Sequence, residues 1–105
     1  QVILNIFKNA EDALIERKIK DKKIFIETKE DDDYIVLSIN DNAGGIKEEL
    51  IDKIFEAYFS TKKNKDGTGL GLYMSRTIIN KHCEGNLEVS NNKHGAVFTI
   101  KIPKS

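Results

Sequence analysis

The sequence has no tryptophan, and only one proline, one cysteine and one methionine among its 105 residues. A lone Cys83 excludes an internal disulfide and a multi-thiolate metal centre, and it suits a reducing compartment. With Pro103 as the single proline, close to the end, there is no proline-rich linker, and no low-complexity segment or internal repeat is visible. No run of Ile, Leu or Val exceeds three residues, as at Val2 to Leu4 and Ile35 to Leu37. That excludes a membrane-spanning segment, and no signal peptide is apparent. Arginine is scarce as well. Lysine dominates the 17 basic residues, and 17 acidic residues cancel them to a net charge of zero. A nucleic-acid-binding coat is therefore not expected.

What remains is 39% hydrophobic and 32% charged. The charged share exceeds the usual ~25%, so the surface is heavily charged around a modest core. The length suits one domain, expected to bury about 65% of its unfolded surface and to fold without staples. The chain begins at Gln1 and has its only Met at position 74, so it reads as a piece of a longer protein.

Residues 1 to about 20 carry helical periodicity. Ile3, Phe7, Ala10 and Leu14 form an apolar stripe, while Gln1, Asn5, Asn9, Asp12 and Glu16 fall within a narrow polar arc. Residues 22 to 40 alternate: Ile24 and Ile26, then Ile35, Leu37 and Ile39 after the acidic break at 31–33, predict an antiparallel hairpin with one buried face. It ends in the turn-rich Asp41-Asn42-Ala43-Gly44-Gly45. Helical periodicity returns over 47–59 through Leu50, Ile54, Phe55 and Tyr58. A Lys-rich loop follows, and Gly67-Thr68-Gly69-Leu70-Gly71 then opens a helix to about Cys83, with Gly85 placed as its C-terminal cap. A second hairpin runs from Leu87 and Val89 through the turn at 91–95 to Val97, Phe98, Ile100 and Ile102. The order implies an α+β fold, a two-layer sandwich with helices on one face of a mixed, mainly antiparallel sheet.

Several segments admit both a chemical and a structural reading. A glycine-rich segment at a helix N-terminus suits phosphate. The segment at 67–71 follows a loop and matches neither the P-loop nor the dinucleotide-binding pattern, so a plain hinge stays open. Asn5 and Asn9 lie one turn apart in a helix that asparagine does not favour. Their amide oxygens suit Mg²⁺, or they line a solvated face. Asp41 is able to accept from an exocyclic amine or to serve the turn alone, and Asn42 reads as turn chemistry. Gly45 permits close approach to a flat ligand or supplies a positive φ. Lys62, Lys63 and Lys65 face phosphate or water. His82 and His94 lack metal-ligand partners, and nothing nearby argues for a reactive Cys83.

Together these segments resemble the ATP-binding catalytic domain of sensor histidine kinases, within the GHKL ATPase superfamily. Five boxes occur in the family's order: Asn5-x-x-x-Asn9-Ala10-x-Asp12-Ala13; Asp41-Asn42-Ala43-Gly44-Gly45-Ile46; Ile54-Phe55-Glu56-Ala57-Tyr58-Phe59-Ser60-Thr61-Lys62; Gly67-Thr68-Gly69-Leu70-Gly71-Leu72; and Gly95-Ala96-Val97-Phe98-Thr99-Ile100. They cover nearly all of the chain. The resemblance implies that Asn9 ligates Mg²⁺, that Asn5 lies beside the triphosphate and that Asp41 accepts from the adenine amino group. Gly45 lets the backbone pass the base, with Ile46 and Leu72 as apolar walls. The box at 67–72 binds nucleotide, its glycines Gly67, Gly69 and Gly71 shaping the phosphate-side turn together with Thr68 and Leu70. Phe55 to Lys65 forms a mobile lid from which Lys62 reaches the γ-phosphate.

The departures from the family pattern are informative. Asp12 stands where many members have Lys, which leaves the cation to Lys62. The Asn-Ala-x-Asp-Ala form resembles the nitrogen-sensor branch. Ala13, where relatives often stack an aromatic on adenine, Ala43 for Gly and Ala96 for Ser or Thr imply modest affinity. The family fold begins with a strand before its first helix, which Gln1 enters directly, so that strand is expected to be missing. The implied function is transfer of the γ-phosphoryl of ATP to a histidine on a separate dimerisation domain. A response regulator partners the whole protein, with no nucleic acid or membrane contact by this domain, and the setting is cytoplasmic even where the parent is membrane-anchored. His82 and His94 do not resemble the acceptor. Two other readings are an autonomous ATPase like the gyrase, mismatch-repair and heat-shock chaperone domains, and a nucleotide-dependent interaction module. The ATPases carry Glu where this chain has Asn5, which cannot take a proton from water.

Overall fold

In a computed structural model of the chain, which describes residues 2–57 and 71–104, the alternating segments form one four-stranded sheet. Its strands are β1 (Ile24–Glu30), β2 (Tyr34–Asp41), β3 (Asn86–Asn91) and β4 (Ala96–Pro103), in the order β1-β2-β4-β3. Every pairing among the described residues is antiparallel. The helices are α1 (Val2–Glu16), the short α2 (Glu48–Ile51) and α3 (Gly71–Thr77), which continues as a π-helical turn over Ile78–His82.

Register explains the layering. Ile26, Ile39, Phe98 and Val89 form one row across the sheet, and Thr28, Leu37, Ile100 and Leu87 the next. These positions share a face, and the helices pack on it. Ile6, Ile39, Leu87 and Phe98 are fully buried there, each contributing roughly 1.5–3 kcal/mol. The opposite face carries rows such as Glu27, Ser38, Thr99 and Glu88, which suit water.

Four sequence expectations change. On α1 the buried stripe is Val2, Ile6, Ala10 and Leu14, and Ile3 is 36% exposed, with Phe7 half-buried at the margin. A strict i, i+4 ridge meets both the sheet and α3 and leaves Asn5 and Asn9 on the adjoining face. Next, the expected hairpin face is covered only in part. Ile26 (55% exposed), on β1, and Ile35 (45%), at the end of β2 far from Asp41, look out beyond the edge of the helical layer.

Third, the helix expected over 47–59 is one turn long. Beyond Ile51 the amides of Lys53 and Glu56 bond back three residues, to Leu50 and Lys53. This tighter path turns Phe55 inward, edge-on to Phe98 with centroids 6.2 Å apart, while the Arg76 guanidinium lies 4.5 Å above its ring. Burial of Phe55 outweighs continuation of a short uncapped helix. Fourth, the left-handed residue ending the third helix is Glu84 (φ 53), not Gly85. The Gly85 amide donates to the Ile79 carbonyl at 2.9 Å. What requires glycine there is packing, since a Cβ would collide with the carbonyl of Lys101.

Candidate functional site

Asp41 is the last residue of β2 and lies two positions beyond Ile39, so it points to the same helix-covered face. It is 3% exposed. Its Oδ1 accepts from the Ala43 amide at 3.0 Å and from the Ala96 amide at 3.3 Å. The first is turn chemistry within the loop; the second reaches across to the start of β4. No buried side-chain oxygen or nitrogen among the described residues lacks a hydrogen-bond partner. Oδ2 takes neither of these two bonds. The result is a carboxylate fixed by one oxygen and able to accept with the other.

Gly95 makes this arrangement possible. A Cβ there would lie 2.5 Å from Asp41 Oδ1, 2.6 Å from the Asp41 carbonyl oxygen and 3.0 Å from the Ala43 nitrogen. The Gly44 amide donates to the His94 carbonyl at 3.2 Å, which draws the loop after β2 onto the β3–β4 turn. Asn92 holds that turn by accepting from the His94 and Gly95 amides.

Gly44 (φ 96) and Gly45 (φ 91) both take the left-handed region that glycine alone adopts freely. Gly45 also faces a neighbour: a Cβ would fall 2.8 Å from Asn91 Oδ1. Asn91 grips the next residue at both main-chain atoms. The Ile46 amide donates to Oδ1 at 2.8 Å, and Nδ2 donates to the Ile46 carbonyl at 2.6 Å. Arg17, just past α1, donates to the Ala43 carbonyl at 2.8 Å. Asn42 is spent on structure, accepting from the Lys23 amide and donating to the Asp21 carbonyl.

On α1, Asn5, Asn9 and Ala13 follow one another at one-turn intervals, about 6 Å apart, and all three are half-buried. Asn5 Nδ2 donates to Ser75 Oγ at 3.2 Å, and Ser75 Oγ donates to the Gly71 carbonyl at 2.8 Å. The first asparagine thus stands against the opening turn of α3. Ile46 and Leu72 are half-buried against the core. Lys62, Gly67, Thr68, Gly69 and Leu70 lie outside the described residues, as do Tyr58 and most of the expected lid.

The structure therefore brings Asp41, Gly45 and Ile46 together at the loop after β2, and Asn5 with Gly71 at α3. Arg17, Ser75 and Asn91 were not singled out from the sequence. Ser75 is a small polar residue on a buried helix face. Asn91 sits in an Asn-Asn turn, where turn preference hides any other task. A cleft of about 240 Å³ beside Phe55, Arg76 and Glu88 shares no residue with either cluster.

Among the described residues, no three His, Cys, Asp or Glu side chains gather as a metal site. The donors on α1 are amide oxygens. They suit an Mg²⁺ ion that is held mainly by water and phosphate oxygens, with one or two protein ligands. No helix among the described residues is long and apolar enough to cross a membrane.

Residues 1–105 match the family described as histidine kinase-, DNA gyrase B-, and HSP90-like ATPase. The two-component sensor PprA of Pseudomonas aeruginosa is 35% identical over 98% of this chain. The signal transduction histidine-protein kinase AtoS of Escherichia coli is 43% identical over 98%. The chain spans only 11% of the first protein and 16% of the second. Among solved structures, the catalytic domain of the histidine kinase ThkA is 33% identical with a TM-score of 0.77, over 99% of this chain and 64% of that one. ThkA in complex with the response regulator protein TrrA gives 33% and 0.75, over 100% of this chain and 28% of that one. The chain belongs to the histidine kinase-, DNA gyrase B- and HSP90-like ATPase family, and its relatives are sensor histidine kinases.

Proposed function

We propose that residues 1–105 form one domain that binds MgATP and acts as the phosphoryl donor of a two-component sensor histidine kinase. The acceptor is a histidine on a separate dimerisation domain, and a response regulator receives the phosphoryl group from it. The observation that carries this reading is Asp41: a buried carboxylate beside a glycine loop, held by two backbone amides through one oxygen, with the other oxygen taking neither bond. That second oxygen accepts from the exocyclic amine of adenine, a charge-assisted hydrogen bond. Ile46 and Leu72 form apolar walls for the base, Ala13 adjoins it, and Gly45 keeps the loop clear of a side chain.

Asn9, with Asn5 beside the triphosphate, holds Mg²⁺, which when bound neutralises charge on the phosphates. Gly67, Thr68, Gly69, Leu70 and Gly71 present backbone amides to the phosphates, and Lys62 supplies a cation at the γ-position. The bond from the γ-phosphorus to its bridging oxygen breaks, ADP leaves with the electron pair, and a ring nitrogen of the acceptor forms the new bond. The protein's contribution is positioning and charge stabilisation. Neither histidine of this chain resembles the acceptor, since His82 precedes Cys83 and His94 precedes Gly95 where an acidic residue would follow.

The test is calorimetric titration of MgATP into the domain, with Asp41→Asn in parallel. Wild type should bind. Losing a hydrogen bond to a charged group costs about 1.5–3 kcal/mol, so the variant should bind at least tenfold more weakly. A folded wild-type domain that shows no heat of binding would refute the reading.

A further inference from the structure

The two polar side chains between α1 and α3 determine more than proximity. Ser75 is fully buried, and its Oγ lies 2.8 Å from the Gly71 carbonyl and 3.2 Å from the Asn5 amide group. A hydroxyl has one proton, and a carbonyl only accepts. The Ser75 proton is therefore committed to Gly71, the back-bonding that serine often makes within a helix. Toward Asn5, Ser75 has only lone pairs to offer. Nδ2 must face it, because a flipped carboxamide would oppose two oxygens with no proton between them, at the cost of a buried unsatisfied pair. The orientation of Asn5 thus follows from hydrogen-bond bookkeeping and does not depend on telling nitrogen from oxygen. With one Nδ2 proton given to Ser75, the carboxamide is held with Oδ1 on the side where α3 begins; that atom lies 4.0 Å from where a Cβ of Gly71 would be.

We propose that Ser75 is a positioning residue that fixes Asn5 as a hydrogen-bond acceptor toward the nucleotide's metal. The inference rests on the MgATP reading and deepens it. A donor at this position would grip phosphate oxygens directly and would serve metal-free nucleotide as well. An acceptor serves the Mg²⁺ ion or the protons of its bound water, and is of no use to bare phosphate. By fixing the carboxamide's orientation, Ser75 turns Oδ1 to the acceptor role without touching the ligand.

The experiment has two arms. In the nucleotide-free domain, the Asn5 side-chain NH₂ resonances are compared in wild type, Ser75→Ala and Ser75→Cys, the last keeping the volume with a weak acceptor. Wild type should show nuclear Overhauser contact between the Asn5 amide protons and the Ser75 β-protons, and the Asn5 NH₂ pair should shift in Ser75→Ala. Thermal melts confirm that each variant folds. In the second arm, ATP is titrated with and without Mg²⁺ into wild type, Ser75→Ala, Asn5→Ala and the double variant. Ser75→Ala should reduce the Mg²⁺-dependent gain in affinity, on the order of three- to tenfold for one lost hydrogen bond, with metal-free affinity unchanged. In the Asn5→Ala background it should change nothing further. Equal losses with and without Mg²⁺, a full effect that persists without Asn5, or no Asn5–Ser75 contact in wild type would each overturn the proposal. A wild-type domain that binds no ATP refutes the MgATP reading instead, and the resonance arm still decides the orientation.

Discussion

Asn91 holds Ile46 by its main chain at both ends of one carboxamide, accepting from the amide at 2.8 Å and donating to the carbonyl at 2.6 Å. Asn91 ends β3 and Ile46 lies in the loop after β2, two strands that β4 separates. The loop after β2 therefore crosses the start of β4 and is caught on the far side. Replacing Asn91 by Ala removes both bonds. At about 0.5–1.5 kcal/mol each for exposed neutral bonds, the domain should lose about 1–3 kcal/mol in urea unfolding. Adenine nucleotide affinity should fall with it, since Ile46 is no longer held. Unchanged stability would show that the clasp is not made in solution.

Gly95→Ala tests the seat of Asp41. Two of the three atoms that a Cβ would crowd are main chain, so movement of the Asp41 side chain alone does not relieve the clash. Forced overpacking of this kind costs about 1–3 kcal/mol, and the shift falls on the Asp41 carboxylate. The expected outcome is a lower melting temperature together with weaker MgATP binding. Full affinity at reduced stability would separate Gly95 from the site.

The β1–β2 turn carries a pH dependence of known sign. The amides of Tyr34 and Asp33 donate to Asp31 Oδ1, which holds this exposed carboxyl below its ordinary value of 3.8. A depressed value means that the native state favours the charged form. The stabilisation is fully present above 3.8 and is lost as pH falls through the lower native value. From neutral pH to pH 2, melting temperature should therefore fall less steeply for Asp31→Ala than for wild type, with a stability difference present at neutral pH that closes at the acid end. A difference that persists unchanged at low pH would contradict this assignment.

ATP hydrolysis by the domain alone should stay at background. The relevant turn of α1 presents the amide of Asn5, already bonded to Ser75, where a water-activating base would need a carboxylate. Phosphate release over many turnovers by purified domain would reject this and favour an autonomous ATPase.

The layers of the fold were legible because periodicity depends only on covalent geometry. Alternation at Ile35, Leu37 and Ile39 reports a strand, and spacing along α1 reports a helix, whatever packs against them. The one-residue slip from Ile3 and Phe7 to Val2 and Ile6 shows the limit. Both ridges are apolar, and only the place of the sheet and α3 selects between them. The length of α2 was misread for a related reason: Leu50, Ile54 and Phe55 satisfy helical spacing, yet the chain tightens after Ile51 so that Phe55 can meet Phe98.

At the site, the sequence by itself determined the chemistry on offer: amide oxygens at Asn5 and Asn9, a carboxylate at the end of a strand in Asp41, and glycines where a loop must turn. Residue type and local spacing suffice for that. The tertiary structure decided how these groups are held. The Ala96 amide reaches Asp41 across 55 residues, Ser75 meets Asn5 across 70, and Asn91 meets Ile46 across 45. Contacts of that span leave no periodic trace along the chain. A buried serine and a turn asparagine read as ordinary until the sheet order brings them to their partners.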